Sequence, residues 1–120
     1  MKRRLFVYGT LKRGGCNHRH LAGQAFVAEA CTAPGFALFN LGGFPGIAPA
    51  PDDMEGVRGE LWAVDGDALA QLDEFEGVPG GLYRRGPIPL QAPFEELPID
   101  TYFPVRSVAG LQRIGTVWLE

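Results

Sequence analysis

The sequence predicts an α+β fold: a small mixed β-barrel or strongly curled sheet with one or two flanking helices. Its apolar segments are short and rich in β-branched and aromatic residues, as in strands. The 17 glycines and 10 prolines among 120 residues are typical of many turns. Only residues 66–76 have convincing helical periodicity. A chain of this length normally forms one domain, so we expect a single domain over residues 1–120.

Strands are predicted at the apolar runs, and turns at the segments rich in glycine and proline between them. Pro34-Gly35 separates two strands, and residues 42–46 contain too much glycine and proline for regular structure, so we expect a loop there. Pro87, Pro89 and Pro104 indicate edge positions, because proline has no N–H for a ladder. The predicted strands are residues 5–9, 24–32, 35–39, 56–64, 82–91, 98–105 and 114–119.

Residues 5–11 contain the first candidate binding site. The apolar run from Leu5 to Tyr8 predicts a strand that is buried on both faces. Gly9 ends this strand, at a point where the backbone needs freedom or a ligand comes close. Since successive amides of such a turn can converge on an anion, we expect the amides of residues 9–11 to bind one.

Two helices are predicted. The longer one, residues 66–76, has Asp65 as its N-cap and ends at Gly77. The shorter one covers residues 18–22, with Asn17 as its N-cap and Gly23 at its end.

Glu76 is predicted to face the core at the end of the longer helix. With an advance of about 100° per residue, Glu76 falls about 20° from Leu69. This position lies inside the buried stripe of Ala68, Leu69, Leu72 and Phe75. Burial and the negative end of the helix dipole both raise the pKa of such a carboxyl, as a general base requires.

Both features also have a purely structural interpretation. Residues 9–15 are then a surface turn that follows a buried strand. Glu76 then turns outward where the helix frays, or pairs with Arg84 or Arg85. The residues alone leave these alternatives open.

Charge and motif patterns exclude several classes of function. The net charge is −3, and the basic residues are scattered in small groups, so nucleic-acid binding is not expected. No apolar run approaches the roughly 18 residues of a membrane span, and the N-terminus does not match a signal peptide, so we expect no membrane partner. Gly9 and Gly14 have the spacing of a P-loop, but Gly15 stands where lysine is required. Ser107 lacks a Gly-x-Ser-x-Gly motif.

The two cysteines, Cys16 and Cys31, predict free thiols in a reducing compartment, and hence a cytoplasmic location. Cys16 lies close to His18 and His20, but their spacing matches none of the usual zinc arrangements, so no metal is expected. We expect surface or capping roles for the two histidines.

Six motifs follow one another in the order of a known family. They are VYGTLKRG (residues 7–14, followed by Asn17-His18), FPGI (44–47), VRGELW (57–62), LDEFEG (72–77), LYRR (82–85) and DTYF (100–103). Together they resemble the γ-glutamylcyclotransferase-like proteins, especially the γ-glutamylamine cyclotransferase and AIG2-like branch. The resemblance covers nearly the whole chain.

This resemblance implies a γ-glutamylcyclotransferase-like fold and the release of 5-oxoproline from a small-molecule γ-glutamyl substrate. It implies no cofactor. The chain is shorter than the animal amine-specific members after Arg85, so the part that shapes the leaving-group pocket is reduced. The implied residues are Glu76 as catalytic acid and base, and Tyr8, Gly9, Thr10, Leu11, Tyr83 and Tyr102 as substrate-binding groups.

Two other interpretations use the same fold. One is a non-catalytic small-molecule-binding or interaction module, and the presence of Glu76 favours the enzyme over it. The other is an enzyme that removes a protecting γ-glutamyl group from a metabolite by the same chemistry. It also stays open whether residues 9–11 hold the substrate α-carboxylate or the oxyanion.

Overall fold

Strands outnumber helices in the computed structural model, which describes residues 2–119. The strands are β1 (Arg3–Val7), β2 (Ala25–Cys31), β3 (Phe36–Asn40), β4 (Pro45–Pro49), β5 (Arg58–Val64), β6 (Tyr83–Pro87), β7 (Asp100–Pro104) and β8 (Arg113–Ile114). The helices are a 3-10 helix (His18–Leu21) and α1 (Gly66–Phe75). Neither helix in this part of the chain combines the length and the apolar character of a membrane span.

The strands form two sheets. The larger has the order β2-β5-β1-β7-β6, in which β1 and β7 are parallel and the other neighbours antiparallel. The smaller has the order β4-β3-β8 and is antiparallel. The α+β class is confirmed. The barrel alternative is wrong for residues 2–119, because β3, β4 and β8 pair with one another instead of closing the larger sheet.

Strand β1 is buried on both faces, as its unbroken apolar run predicts. Leu5 and Val7 pack in the core that contains the buried face of α1. Phe6, together with Tyr8 just beyond the strand, packs in a second core, which contains residues of the smaller sheet. Strand β1 therefore lies between two apolar layers, and its C-terminal end lies in the interior of the protein.

Helix α1 begins and ends where its sequence predicts. The Asp65 carboxylate accepts a 2.7 Å hydrogen bond from the Ala68 amide, which confirms the N-cap. Leu69 and Leu72 are buried. The helix ends before Gly77, whose positive φ of 72° suits glycine.

Phe75 does not belong to the buried stripe, and that prediction is wrong. Its side chain is 40% exposed. Phe75 is the last residue of α1, and its ring stacks on His20 with centroids 4.0 Å apart. The helix end is thus packed against the 3-10 helix rather than against the sheet.

The expected loop over residues 42–46 is partly a strand. Pro45 and Pro49 are the two ends of β4, which pairs with β3 at the edge of the smaller sheet. Proline is tolerated at such an edge because the missing N–H breaks no inner ladder. A Cβ on Gly46 would lie 2.7 Å from the Leu41 side chain, so the strand also uses glycine for close packing.

Several predicted strands are too long or misplaced. Only Tyr83–Pro87 of residues 82–91 is a strand, and only Arg113–Ile114 is paired near residues 114–119. Pro87 lies in the edge strand β6 as predicted, but Pro104 lies in β7, between β1 and β6. Because β1 pairs with β7 only at Asp100, the proline at the far end interrupts no bond to β1.

Gly59 carries a steric constraint on the larger sheet. A Cβ at this position would lie 2.3 Å from the Val7 carbonyl oxygen and 2.7 Å from the Phe6 ring. We expect Gly59→Ala to destabilise the protein by about 1–3 kcal/mol, the usual range for overpacking. Urea denaturation measures the change.

Gly66→Ala is the matched control. Gly66 opens α1, and a Cβ there would have no atom within 4 Å. Alanine is the better helix former, so this variant should be neutral or slightly stabilised. Equal urea midpoints for the two variants would contradict the close contact at Gly59.

Candidate active site

The loop after β1 uses its carbonyl groups and keeps its amides free. The carbonyls of residues 9–11 accept hydrogen bonds from the Lys12 amide (3.2 Å), the Asn17 amide (3.0 Å) and His18 Nδ1 (2.9 Å), respectively. Asn17 Nδ2 also donates to the Thr10 hydroxyl at 3.0 Å. Among residues 2–119, the amides of residues 9–11 donate to no other group. The loop is thus held by its acceptors while three donors remain for a ligand.

Gly9 lies where only glycine fits. A Cβ on Gly9 would lie 2.7 Å from Pro45 Cγ. The close approach joins the loop to β4, on the other side of the same cavity. The glycine is therefore required for packing between the two sheets as well as for the turn.

The cavity has a volume of about 380 Å³ and lies between the loop, the end of α1 and the strands β6 and β7. Every residue that the sequence predicts for the site lines it. Their roles in binding and catalysis stay predictions. The predicted residues that line the cavity are Tyr8, Gly9, Thr10, Leu11, Glu76, Tyr83 and Tyr102.

Glu76 is the C-cap residue of α1 and lines the cavity. Burial raises the pKa of its carboxyl from 4.5 to about 7. The alternative pairing with Arg84 or Arg85 is not formed, because Arg85 pairs with Asp73 and the Arg84 guanidinium lies over the Phe103 ring. Without a cation to stabilise its charged form, Glu76 can bind or release a proton near neutral pH.

Three tyrosine hydroxyls surround the carboxylate. Glu76 is a cause of the raised pKa of Tyr8, Tyr83 and Tyr102, in each case after burial. All three therefore stay protonated at physiological pH. The Tyr8 hydroxyl donates to the Tyr102 carbonyl oxygen at 2.7 Å and lies against the backbone of Ile47, so its hydrogen bonds lie within the protein.

Glu60 supports the loop from β5, and our sequence reasoning missed this role. Its Oε1 accepts hydrogen bonds from the Arg13 amide (3.0 Å) and the Trp62 indole (3.1 Å), and its Oε2 accepts one from Arg13 Nε (3.0 Å). Although burial is the largest influence and raises the pKa of Glu60, these bonds together with the Arg13 charge outweigh it and lower the pKa. The sequence signal that could have predicted this role is a carboxylate within an otherwise apolar strand.

Asn17, which lines the cavity, and the two histidines contact the loop and the end of α1. The expected N-cap role of Asn17 is wrong, because its side chain bonds to Thr10 instead of the 3-10 helix. His18 packs near Trp62 and bonds to Leu11, while His20 stacks on the last residue of α1. The 3-10 helix therefore links the loop to the helix end that carries Glu76.

No group of three His, Cys, Asp or Glu side chains in the described part of the chain is arranged to hold a metal. Within residues 2–119, the ionisable groups at the cavity surface are Cys16, Glu76 and the three tyrosines. The donors and acceptors of the site are therefore mainly backbone amides, hydroxyls and one carboxyl group, which suits proton transfer on a small polar ligand.

Comparison with known proteins agrees with this arrangement. A family model described as gamma-glutamyl cyclotransferase, AIG2-like, matches residues 5–118. A Vibrio cholerae protein that is named provisionally as a γ-glutamylcyclotransferase is 40% identical over 94 residues, covering 78% of this chain and 76% of that protein. The γ-glutamylaminecyclotransferase of Rattus norvegicus is 39% identical over 88 residues, covering 68% of this chain and 58% of the rat protein.

The fold agrees with a solved structure as well. The crystal structure of an AIG2-like protein from Mus musculus matches with a TM-score of 0.81 at 29% identity, over 96% of this chain and 87% of the mouse chain. The chain spans less than two thirds of the rat relative's length, but the family model matches nearly all of this chain. The chain belongs to the γ-glutamyl cyclotransferase, AIG2-like family.

Proposed function

We propose that the protein is a γ-glutamyl(amine) cyclotransferase, with Glu76 as its general acid and base. It converts γ-glutamyl amines or peptides to 5-oxoproline and a free amine. One observation carries the proposal: a carboxyl group with a pKa of about 7 shares a cavity with the three free amides of residues 9–11. The relatives named for this activity support it.

The substrate supplies its own nucleophile in this reaction. The α-amine nitrogen attacks the γ-carbonyl carbon and closes a five-membered ring, and the bond from that carbon to the leaving nitrogen then breaks. No covalent enzyme intermediate is needed, so the protein must fold the substrate, move protons and stabilise negative charge.

Glu76 moves both protons. Its carboxylate form accepts a proton from the α-ammonium and passes it to the departing nitrogen, and it passes on in the same way the second proton that the attacking nitrogen loses as the ring amide forms, so the amine leaves as an ammonium ion. A pKa of about 7 keeps both forms populated near neutral pH, which favours the two transfers. Free amides at residues 9–11 are suited to bind the negatively charged oxygens of the substrate or of the tetrahedral intermediate.

The mouth of the cavity is apolar and open. Phe44, Phe75 and Leu82 line it and are 42%, 40% and 61% exposed. We infer that the γ-glutamyl half is bound strictly and the amine half loosely. We also infer a cytoplasmic location, since Cys16 and Cys31 are not joined in a disulfide bond.

The direct test is incubation with a panel of γ-glutamyl amines and γ-glutamyl dipeptides, followed by detection of 5-oxoproline. Release from at least one member supports the proposal. Binding of γ-glutamyl compounds without any release would instead favour a non-catalytic binding module.

Glu76→Gln keeps the shape of the side chain and removes the base. We expect turnover to be abolished while the fold and γ-glutamyl binding persist. In the unmodified protein, the base-dependent limb of the pH–rate profile should rise through about pH 7. Full activity of Glu76→Gln would remove Glu76 from the mechanism.

The same variant has a stability readout that does not depend on activity. Because the folded pKa of Glu76 lies above its unfolded value, the folded state binds the extra proton, and stability falls as pH rises from about 4.5 to about 7. Glu76→Gln should lack this loss. Its free energy of unfolding, compared with that of the unmodified protein, should therefore increase by up to about 3 kcal/mol between pH 5 and pH 8. Denaturant unfolding at the two pH values provides the check.

The backbone of the loop, rather than its side chains, should carry ligand recognition. We expect Thr10→Ala to weaken ligand binding only mildly, since it removes one hydroxyl that Asn17 already bonds. Gly9→Val should be severe, because a Cβ at Gly9 already meets Pro45. Calorimetric titration with 5-oxoproline compares them, and the reverse ranking would assign recognition to the Thr10 hydroxyl.

Cyclisation requires a free α-amine. An N-acetylated γ-glutamyl amide should therefore release no amine, while lengthening or shortening the leaving amine should alter rates by about 10–200-fold for each methylene group that packs in an apolar pocket. Amine release measured by chromatography tests both statements. Equal cleavage of the acetylated and free substrates would mean hydrolysis by activated water.

A further inference from the structure

Two tyrosine hydroxyls in the cavity have hydrogen bonds of different strength. The Tyr83 hydroxyl lies 3.4 Å from the Pro45 carbonyl oxygen, which is a long contact. The Tyr102 hydroxyl donates to Asp73 Oδ1 at 2.7 Å. A short hydrogen bond to a carboxylate is charge-assisted and stronger than a neutral one. The proton of Tyr102 is therefore held in one direction, whereas that of Tyr83 is free to turn.

Asp73 is kept as an acceptor by an ion pair. Arg85 Nε donates to Asp73 Oδ1 at 2.9 Å, a second guanidinium nitrogen donates to Oδ2 at 3.3 Å, and the third donates to Asp100 at 2.7 Å. An ionised carboxylate has no proton to donate, so Tyr102 must be the donor in its bond with Asp73. Burial, followed by the Asp73 hydrogen bond, raises the pKa of Tyr102, so this proton stays in place.

With its proton used, Tyr102 has only lone pairs to offer to a ligand. It lines the cavity together with Glu76, and the two groups are close enough for their charges to interact. An acceptor beside a carboxylate is a suitable environment for a cation. The α-ammonium is the only cation of the γ-glutamyl group, and its proton is the one that Glu76 must take.

We propose that the Tyr102 hydroxyl oxygen accepts a hydrogen bond from the α-amine of the substrate, and that Asp73 is the positioning residue that holds the Tyr102 proton away from it. The inference rests on the proposed function and assigns the end of the cavity that receives the attacking nitrogen. The amides of residues 9–11 then receive the negatively charged oxygens.

Binding without turnover tests the contact with Tyr102. In a Glu76→Gln background, calorimetry compares γ-glutamyl-n-butylamide with the n-butyl monoamide of glutaric acid, which lacks only the α-amine. The background protein should prefer the amine-bearing ligand. Adding Tyr102→Phe should reduce this preference by about 10-fold or more, the usual effect of a hydrogen bond to a charged group. An unchanged preference overturns the inference.

The same measurement separates this inference from the proposed function. Release of 5-oxoproline by the unmodified protein, together with an unchanged ligand preference in Tyr102→Phe, rejects the Tyr102 contact alone. Failure to bind either ligand, with no 5-oxoproline from the unmodified protein, rejects both.

A double-mutant cycle tests Asp73. Asp73→Ala, Tyr102→Phe and the double variant are compared by kcat/KM on the butylamide and by ligand preference. If Asp73 acts through Tyr102, Asp73→Ala should reduce the preference as Tyr102→Phe does, and the double variant should fall within about 2-fold of Tyr102→Phe alone. Losses that multiply in the double variant would show that Asp73 only supports the structure.

Glu74→Ala is the matched control. Glu74 is the next residue of α1, also acidic but exposed. Glu74→Ala therefore removes a negative charge from the same helix without removing the hydrogen bond to Tyr102. It should keep both kcat/KM and the ligand preference. If Asp73→Ala does not fold, Asp73→Leu, which fills a similar volume and accepts no hydrogen bond, replaces it in the cycle, and the Tyr102→Phe binding result stands by itself.

Discussion

The burial of β1 on both faces is the constraint on which the rest of the structure depends. Leu5 and Val7 complete the core under α1, and Phe6 and Tyr8 complete the core against the smaller sheet. A strand in this position must end inside the molecule. Its last turn therefore lies at the junction of the two layers, and residues 9–11, whose amides donate to no other described group, line the cavity there.

The ionisation of Glu76 follows from the distribution of cations around it. Arg85 lies two strand residues beyond the cavity-lining Tyr83, but its guanidinium is occupied by Asp73 and Asp100. Arg84 lies over Phe103. Because both arginines have other partners, burial is the cause that raises the pKa of the Glu76 carboxyl to about 7. The ion pairs of Arg85 thus stabilise the fold and also leave the carboxyl group of Glu76 unneutralised.

Donors and acceptors are separated within the cavity. The amides of residues 9–11 are available as donors, while the carbonyls of the same residues accept hydrogen bonds within the protein. Glu60 and Asn17 hold the loop through hydrogen bonds to Arg13 and Thr10. The rest of the cavity lining offers the Glu76 carboxyl group and the tyrosine hydroxyls. A γ-glutamyl group carries an ammonium group and a carboxylate on the same carbon. These groups fit its two charges, because free amides suit the carboxylate and the Glu76 carboxyl group suits the ammonium.

Local patterns were enough to predict the α+β class, the buried first strand, and the helix with its cap and its inward-facing glutamate. These features depend on short-range periodicity and turn chemistry, which are visible in the order of residues. The predicted site residues also meet at one cavity, as the ordered family motifs imply. Their chemical roles follow from the proposal rather than from the order of residues.

Only the tertiary structure decided which segments meet. The strands divide into two sheets instead of a barrel, because β3 pairs with β4 and β8. Phe75 stacks on His20 at the helix end, and Arg85 selects Asp73 and Asp100 over Glu76. Each of these contacts joins residues that are distant in sequence, or depends on such a contact. The sequence by itself therefore determined the fold class, the first strand, the longer helix and the candidate base, whereas long-range packing decided the remaining strands, the environment that sets the pKa of that base and the direction of the Tyr102 proton.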